Sequence, residues 1–477
     1  MRERTTRPTE GAGSSMPTSK EESSKKARRP HSLAVVLALI VLLVPLNVGL
    51  CFLLQPYGSQ SELVWSEYRA TPNINTLFVG TSLCEHGLNP VAFDEELGSH
   101  SFNMAIPNLS FRECLTAIKT AAKERELKRV VAFVGFATMT PGPSFESAVA
   151  FTQAKCSGEP PQQAVADMFG LFTDDYYFKR PGSVVGLFPW SFSNVGMSLS
   201  AIKTNVYNRL NRSVVDATRH SPILGDTWRY YGQGFGTYND AIDGNTKHAD
   251  KNKEEQSFLP HNMEGLRQVC SYCREQGIDM YVVGAPFMPS AVVEFGESYP
   301  AQMQTLKDLV ESEGAHYFDL NMAHNDVYEP QLAYYHDDTQ HLSYDGSVVA
   351  SKAAARTIAR IEAGEDVSGE FFDYTEDGQR AWLETIDYVD SVDYTWKTSP
   401  NGAVVEAYAV TSPSTPVEYR MEMLDANGKW IEVRGWDANP TFELPSGSSK
   451  EHKIRLYAHA TNGRQDKDRR VEGLLAF

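Results

Sequence analysis

Short unbroken apolar runs alternate along this chain with stretches whose apolar residues recur at helical spacing. Residues 76–79, 101–106, 130–136, 280–285 and 316–320 are the runs. Between them, residues 90–97, 110–126, 262–276, 299–313 and 347–361 read as helices, with Leu115, Ile118, Ala122 and Leu127 near a 3.6 period in one of them. A strand buried on both faces has no polar face to alternate with, so these runs predict a parallel sheet covered by helices on both sides. Ser110 with Glu113 three residues later predicts a capping box at one helix start. The alternation lapses over residues 139–258, where Pro, Gly, Ser and aromatic residues dominate, as in Phe188-Pro189-Trp190 and Trp228-Arg229-Tyr230-Tyr231-Gly232. So long an interruption predicts an insertion holding helical pieces and a substrate-facing surface, with some aromatics spent on packing. The polar residues 239–255 predict a mobile loop within it.

Both ends of the chain differ from this pattern. After residue 366 the apolar runs at 404–410, 417–424, 430–433 and 453–458 have no helical stretch between them, and Asn427-Gly428 marks a turn. They predict a small β-sandwich-like domain over residues 390–477, joined by an acidic linker. At the other end, residues 1–31 are rich in Ser, Thr, Pro, Lys and Arg and read as a disordered cytoplasmic tail. From Leu33 to Leu54 the chain is then almost wholly apolar, broken by Pro45 and Asn47. As a helix it would span roughly 33 Å, enough for a bilayer core, so residues 32–55 predict a transmembrane anchor. Lys25, Lys26, Arg28 and Arg29 before it favour an N-terminus inside and a bulk of the chain outside the cytoplasm. The run is too long for a cleaved signal peptide. Val48-Gly49-Leu50-Cys51 loosely resembles a lipoprotein cleavage box, with Leu50 a poor residue there.

Composition narrows the classes. The chain has 477 residues, 42% hydrophobic, which is ample for a full core. Its net charge of −17, with no dense basic patch after residue 31, argues against nucleic acid as a partner. Six cysteines make no dense disulfide framework. Cys270 and Cys273 form one C-x-x-C in a helical stretch. A redox or metal pair is one reading; two small half-buried residues on a helix face is the other, because a lone pair is weak for zinc. No metal or cofactor is called for.

The chemistry concentrates at two places. Leu77-Phe78-Val79-Gly80-Thr81-Ser82 ends an apolar run on a hydroxyl, and Asp338-Thr339-Gln340-His341 lies far downstream. A serine hydroxyl is a poor nucleophile until a base takes its proton. His341 fits that base, and Asp338, three residues earlier, fits the group that orients the ring, with Asp337 as the alternative. A surface capping pair is the plainer reading of Asp338 and His341. Cys84 is a rival nucleophile. Ser82 and Asn108 both fall just past the carboxyl ends of predicted strands, where parallel sheets place ligands. His86 and His336 lie near the motifs with structural or solvent-exposed roles.

These blocks resemble the SGNH (GDSL-like) hydrolase superfamily, in particular its membrane-anchored branch with the D-alanyl transfer proteins and the alginate-type O-acetyltransferases. The nucleophile block with Asn89-Pro90, the block Ser101-Phe102-Asn103-Met104-Ala105-Ile106-Pro107-Asn108, and Asp338-Thr339-Gln340-His341-Leu342-Ser343-Tyr344-Asp345-Gly346 carry the likeness over residues 72–362, less the insertion. It implies a flavodoxin-like three-layer α/β catalytic domain over residues 72–365. Ser82, Asp338 and His341 would be catalytic, and Gly80, Asn103 and Asn108 would serve the oxyanion or substrate. Two departures stand out: Asn108 replaces a usual glycine, and Gly135-Phe136-Ala137-Thr138 lacks the third block's usual asparagine. The resemblance implies an extracytoplasmic O-acyltransferase or esterase acting on a cell-envelope polysaccharide through an acyl-enzyme on Ser82, with a polytopic membrane-bound O-acyltransferase as partner. The alternative is a non-catalytic SGNH-like protein that binds glycan or assembles an envelope complex.

Overall fold

Burial on both faces organises the first part of the chain. The computed structural model describes residues 29–178, 183–219, 227–242, 256–337, 340–400, 402–445, 451–462, 464–465 and 467–476. Its first strands are β1 (Thr76–Gly80), β2 (Ser101–Asn103), β3 (Arg129–Val134), β4 (Trp228–Gly232), β5 (Phe235–Tyr238), β6 (Asp279–Gly284) and β7 (His316–Asp319). All but β4 and β5 join one parallel sheet in the order β2-β1-β3-β6-β7. β1 is buried throughout, and β3 and β6 at all but their first residue, so their sequences run apolar without alternation. The chain steps from β1 out to β2, then back across β1 to β3. A crevice therefore opens between the carboxyl ends of β1 and β3.

Right-handed crossovers put the helices before and after that reversal on opposite faces. Helix Pro90–Leu97 packs on the closing helix Tyr344–Glu362, and helix Phe111–Glu124 on helix Pro260–Gln276. Asn89 caps Pro90–Leu97 by accepting from the Val91 and Ala92 amides, and Gly98 ends it at φ +63°. The capping box expected at Ser110 is not made. The Ser110 hydroxyl donates instead to the Glu113 carboxylate, which also accepts from the Tyr177 hydroxyl.

Two segments guard the sheet edges. The β4–β5 hairpin turns through Gly232, Gln233 and Gly234, all at positive φ. A Cβ on Gly234 would lie 1.9 Å from the Asn103 carbonyl oxygen, so the turn can sit against β2 only with glycine there. The Asn103 amide donates to Gln233 O (2.9 Å) and Gln233 Nε2 to Ser101 O (3.0 Å), which covers an otherwise open edge. Beyond β7, the Phe372 amide donates to Met322 O (2.7 Å). Phe371, Phe372 and Tyr374 pack on the α/β core, so the expected acidic linker is partly built in.

The remaining strands are antiparallel: β8 (Ser391–Ser399), β9 (Gly402–Val410), β10 (Val417–Leu424), β11 (Trp430–Asp437), β12 (Thr441–Pro445), β13 (Glu451–Ala460) and β14 (Arg469–Ala476). They form two sheets, β11-β10-β13-β14 and β12-β9-β8. Val392 and Val405 from one meet Met421, Ile454, Leu456 and Val471 from the other in a shared apolar core. The chain is thus a mixed α/β fold with a parallel sheet, followed by a small all-β region.

Residues 53–477 form one compact unit. Before them, helix Arg29–Leu54 contains Pro45. Its described side chains run unbroken only over residues 41–54 and are mostly exposed. Among the described residues no helix is long and apolar enough to cross a membrane. Tail residues 1–28 and loop residues 243–255 lie outside the described residues.

The adjoining ends of β6 and β7 allow a direct test. Asp319 is buried there, accepting from the Tyr299 and Tyr374 hydroxyls (2.8 Å each) and from Asn321 Nδ2 (2.8 Å). A Cβ on Gly284 would lie 2.1 Å from Asp319 Oδ1. Gly284→Ala should therefore destabilise the fold by about 1–3 kcal/mol, seen as a lower thermal midpoint. An unchanged midpoint would mean that this network yields freely.

Candidate active site

Glycine at the end of β1 lets the chain turn at once from strand into helix. Gly80 has φ +152°, and a Cβ there would lie 2.8 Å from Cys84 Cβ and 3.2 Å from Phe133 O. Thr81 follows, and Ser82 opens the short helix Ser82–Gly87. The Thr81 and Thr138 hydroxyls lie 3.3 Å apart and link the chain leaving β1 to the chain leaving β3. Ser82 is thus held over the crevice at the reversal of the sheet.

His341 arrives on a loop pinched at its base. Tyr335 and Leu342 form an antiparallel bridge, and the His336 amide donates to His341 O (2.8 Å). The ring lies between two partners: Nε2 is 2.9 Å from Ser82 Oγ, and Nδ1 is 2.5 Å from Asp337 Oδ2. Asp337 Oδ1 accepts from the Gln340 and His341 amides (2.8 and 3.0 Å). Burial pushes the Asp337 carboxyl up, but the His341 contact and the two amides outweigh it and hold it well below the usual carboxylate range. An ionised Asp337 accepts the hydrogen bond of Nδ1–H and keeps the proton on that nitrogen, which leaves the Nε2 lone pair for the Ser82 hydroxyl.

The carboxylate on the ring is therefore Asp337, four residues before the histidine. Asp338, expected in that role, lies outside the described residues. Asn108 stands exposed on the cleft rim at φ +58°. Asn103 is fully buried and its amide is spent on backbone: Nδ2 donates to Cys84 O and Leu88 O (2.9 Å each), and Oδ1 accepts from the Ala105 amide. It braces the Ser82–Gly87 helix from behind and does not line the cleft. Gly80 contributes its conformation, as described above. In the third block, which carries no asparagine, Ala137 faces the cleft. An asparagine does serve this wall from elsewhere: Asn262 Nδ2 donates to Thr138 O, Met139 O and Pro141 O, fixing the loop without entering the cleft.

Behind Ser82 lies a buried pair. His86 Nδ1 donates to Gly236 O (3.0 Å), and its ring stands edge-on to His341 with centroids 5.3 Å apart. Burial, with His341 close by, pushes His86 down to about 3, so it is neutral. Burial likewise raises the Glu85 carboxyl well above its usual range, and Gln60 Nε2 donates to it (2.6 Å). His336 stacks on Tyr238 with centroids 3.8 Å apart. Cys84 is fully buried with its thiol raised far above normal, which removes it as a rival nucleophile. Cys270 and Cys273 are free buried thiols, each pushed up to about 12. Away from the cleft, Cys156, Glu159 and Asp167 approach one another, but Lys155 pairs with both carboxylates and already supplies the positive charge a metal would bring.

The cleft over Ser82 and His341 has a volume of about 820 Å³. No protein-family model matches the chain, and no curated protein matches it. Among solved structures, a Cellulomonas fimi endo-beta-1,4-mannanase double mutant aligns at 12% identity over 89% of this chain and 99% of that one. Its TM-score is 0.14, and a likeness that slight carries no argument about fold or site.

Two measurements check this geometry. Asp337→Asn should slow fluorophosphonate labelling of Ser82 by about 10³-fold or more, since the wrong tautomer then faces the hydroxyl, while Asp338→Asn stays near wild type. The reverse ranking would put the orienting role on Asp338. His86 is neutral when folded but takes a proton below about 6.5 when unfolded, so stability should fall as pH drops from about 6.5 towards 3. His86→Gln should flatten that decline in thermal midpoint; an equal slope would show that His86 does not set it.

Proposed function

We propose that this chain is a serine acyl-transfer enzyme of the SGNH (GDSL-like) type: an O-acyltransferase or esterase working outside the cytoplasm on a cell-envelope glycan. One observation carries the proposal. His341 meets a serine hydroxyl on one ring nitrogen and an ionised carboxylate on the other. The strand order, with its reversal at β1, is what the flavodoxin-like layers of that superfamily require. The apolar run from Leu33 to Leu54 serves as the anchor in this reading, and a polytopic acyltransferase in the membrane delivers the acyl group.

The reaction follows from the contacts. Ser82 Oγ attacks the acyl carbonyl carbon while His341 Nε2 takes the hydroxyl proton. Asp337 stabilises the imidazolium that results. The Cys84 and Glu85 amides are taken by Thr81 O, so in this reading the oxyanion takes hydrogen bonds from the Ser82 and Leu83 amides that open the helix and from the backbone at Asn108. The intermediate then expels its leaving group, which receives the proton from His341, and an ester remains on Ser82. In the second half His341 takes a proton from a sugar hydroxyl or from water. That oxygen attacks the ester carbonyl, and Ser82 Oγ leaves with the proton returned by His341. Ala137 in place of an asparagine costs one side-chain donor, typically worth about 2.7–4 kcal/mol, so the reading entails a slow enzyme.

A serine-directed fluorophosphonate should label the folded chain, and Ser82→Ala should abolish labelling and lower esterase activity by about 10⁴–10⁶-fold. If the intact chain stays unlabelled while a control hydrolase reacts, the protein is a non-catalytic glycan-binding or assembly protein instead.

A further inference from the structure

We infer that the Ser82 cleft takes an uncharged polyhydroxy chain, an oligosaccharide without carboxylate or phosphate groups, and that this chain continues past Pro107 and Asn108 into a second groove. The inference rests on the acyl-transfer reading and specifies its acceptor. A second cavity of about 350 Å³ lies beside the catalytic cleft, and Pro107 and Asn108 line both. The two cavities therefore meet at one rim. A ligand reaching Ser82 from that side crosses the exposed Asn108 side chain.

The second groove mixes neutral hydrogen-bonding groups with apolar side chains, Ile106, Val149 and Pro189 among them, and one ring face. Gln60, Gln153, Ser147, Ser193 and Phe192 line it, and Glu146 is the carboxylate among the described lining residues. Gln153 Oε1 accepts from Gln55 Nε2 (2.8 Å), which orients the amide. Amides and hydroxyls both donate and accept, as sugar hydroxyls do, and an aromatic face suits the apolar side of a pyranose. Charge argues the same way. Among the described residues neither cavity is lined by Lys or Arg. Polymers bearing carboxylates or phosphates are normally held by such cations. The chain's net charge of −17 adds a field that repels them.

The test uses the full chain carrying Ser82→Ala, which binds without turnover. Calorimetry with cellohexaose, xylohexaose and mannohexaose should show binding of at least one, and hexagalacturonate should bind at least about tenfold more weakly. Phe192→Ala should weaken the neutral hexamer severalfold, and Glu146→Lys should raise affinity for the uronate. Hexagalacturonate binding as tightly as the neutral hexamers, or no hexamer binding at all, overturns the inference. Fluorophosphonate labelling of the wild-type chain is read separately. Neutral-hexamer binding that depends on Phe192, without labelling, would uphold the groove and remove the acyl chemistry; labelling without hexamer binding would do the opposite.

Discussion

An ionised carboxylate fixed on a tight loop is what the rest of this structure serves. Asp337 has its charge stabilised by two backbone amides and one ring N–H, so its orientation is settled before any substrate arrives. That settles the imidazole, and the imidazole settles the serine. Contacts spanning the whole α/β region hold the two halves together. The Asn89 amide donates to Ser351 Oγ (2.7 Å), which in turn donates to Gly87 O, so the Ser82–Gly87 helix and the helix after His341 cannot drift apart. The separation in sequence is 259 residues; in space it is one hydrogen bond.

The surroundings of the pair are tuned by neutrality. Glu85 and His86 sit behind Ser82 as an uncharged acid and an uncharged base. Charging either would mean burying an ion, and for His86 doing so beside a second imidazole, His341. Among the described residues beside Ser82, charge is thereby confined to Asp337 and to whatever proton His341 carries.

Legibility from sequence followed burial. β1, β3, β6 and β7 were readable because strands covered on both faces become apolar runs, and the helices between them showed their period. Strand β8 does alternate, Val392, Tyr394 and Trp396 against Asp393, Thr395 and Lys397, whereas in β14 the buried Arg469 takes an inward position where an apolar residue would mark a strand. Ser82 and His341 could be found from their neighbours in sequence. The choice between two adjacent aspartates could not, since it depends on how the loop between Tyr335 and Leu342 closes. The Ser110–Glu113 pair shows the opposite case: the right residues at the right spacing, with the hydroxyl drawn to a carboxylate instead of to the helix amides. Asn103 belonged to a recognisable block, yet its burial assigns it to bracing.

The hairpin formed by β4 and β5 comes from the least regular part of the chain, and a two-stranded ribbon has little stability of its own. Here its backbone holds His86, Thr237 Oγ1 donates to Leu342 O (2.9 Å), Tyr238 bridges to Ser343, and Tyr231 lies on Tyr344. The ribbon and the histidine loop thus complete each other. The ribbon gains its stability from this docking, whose contacts join positions 150 and 105 residues apart in sequence. Loss of the ribbon would therefore loosen the His341 loop and the Ser82 helix together.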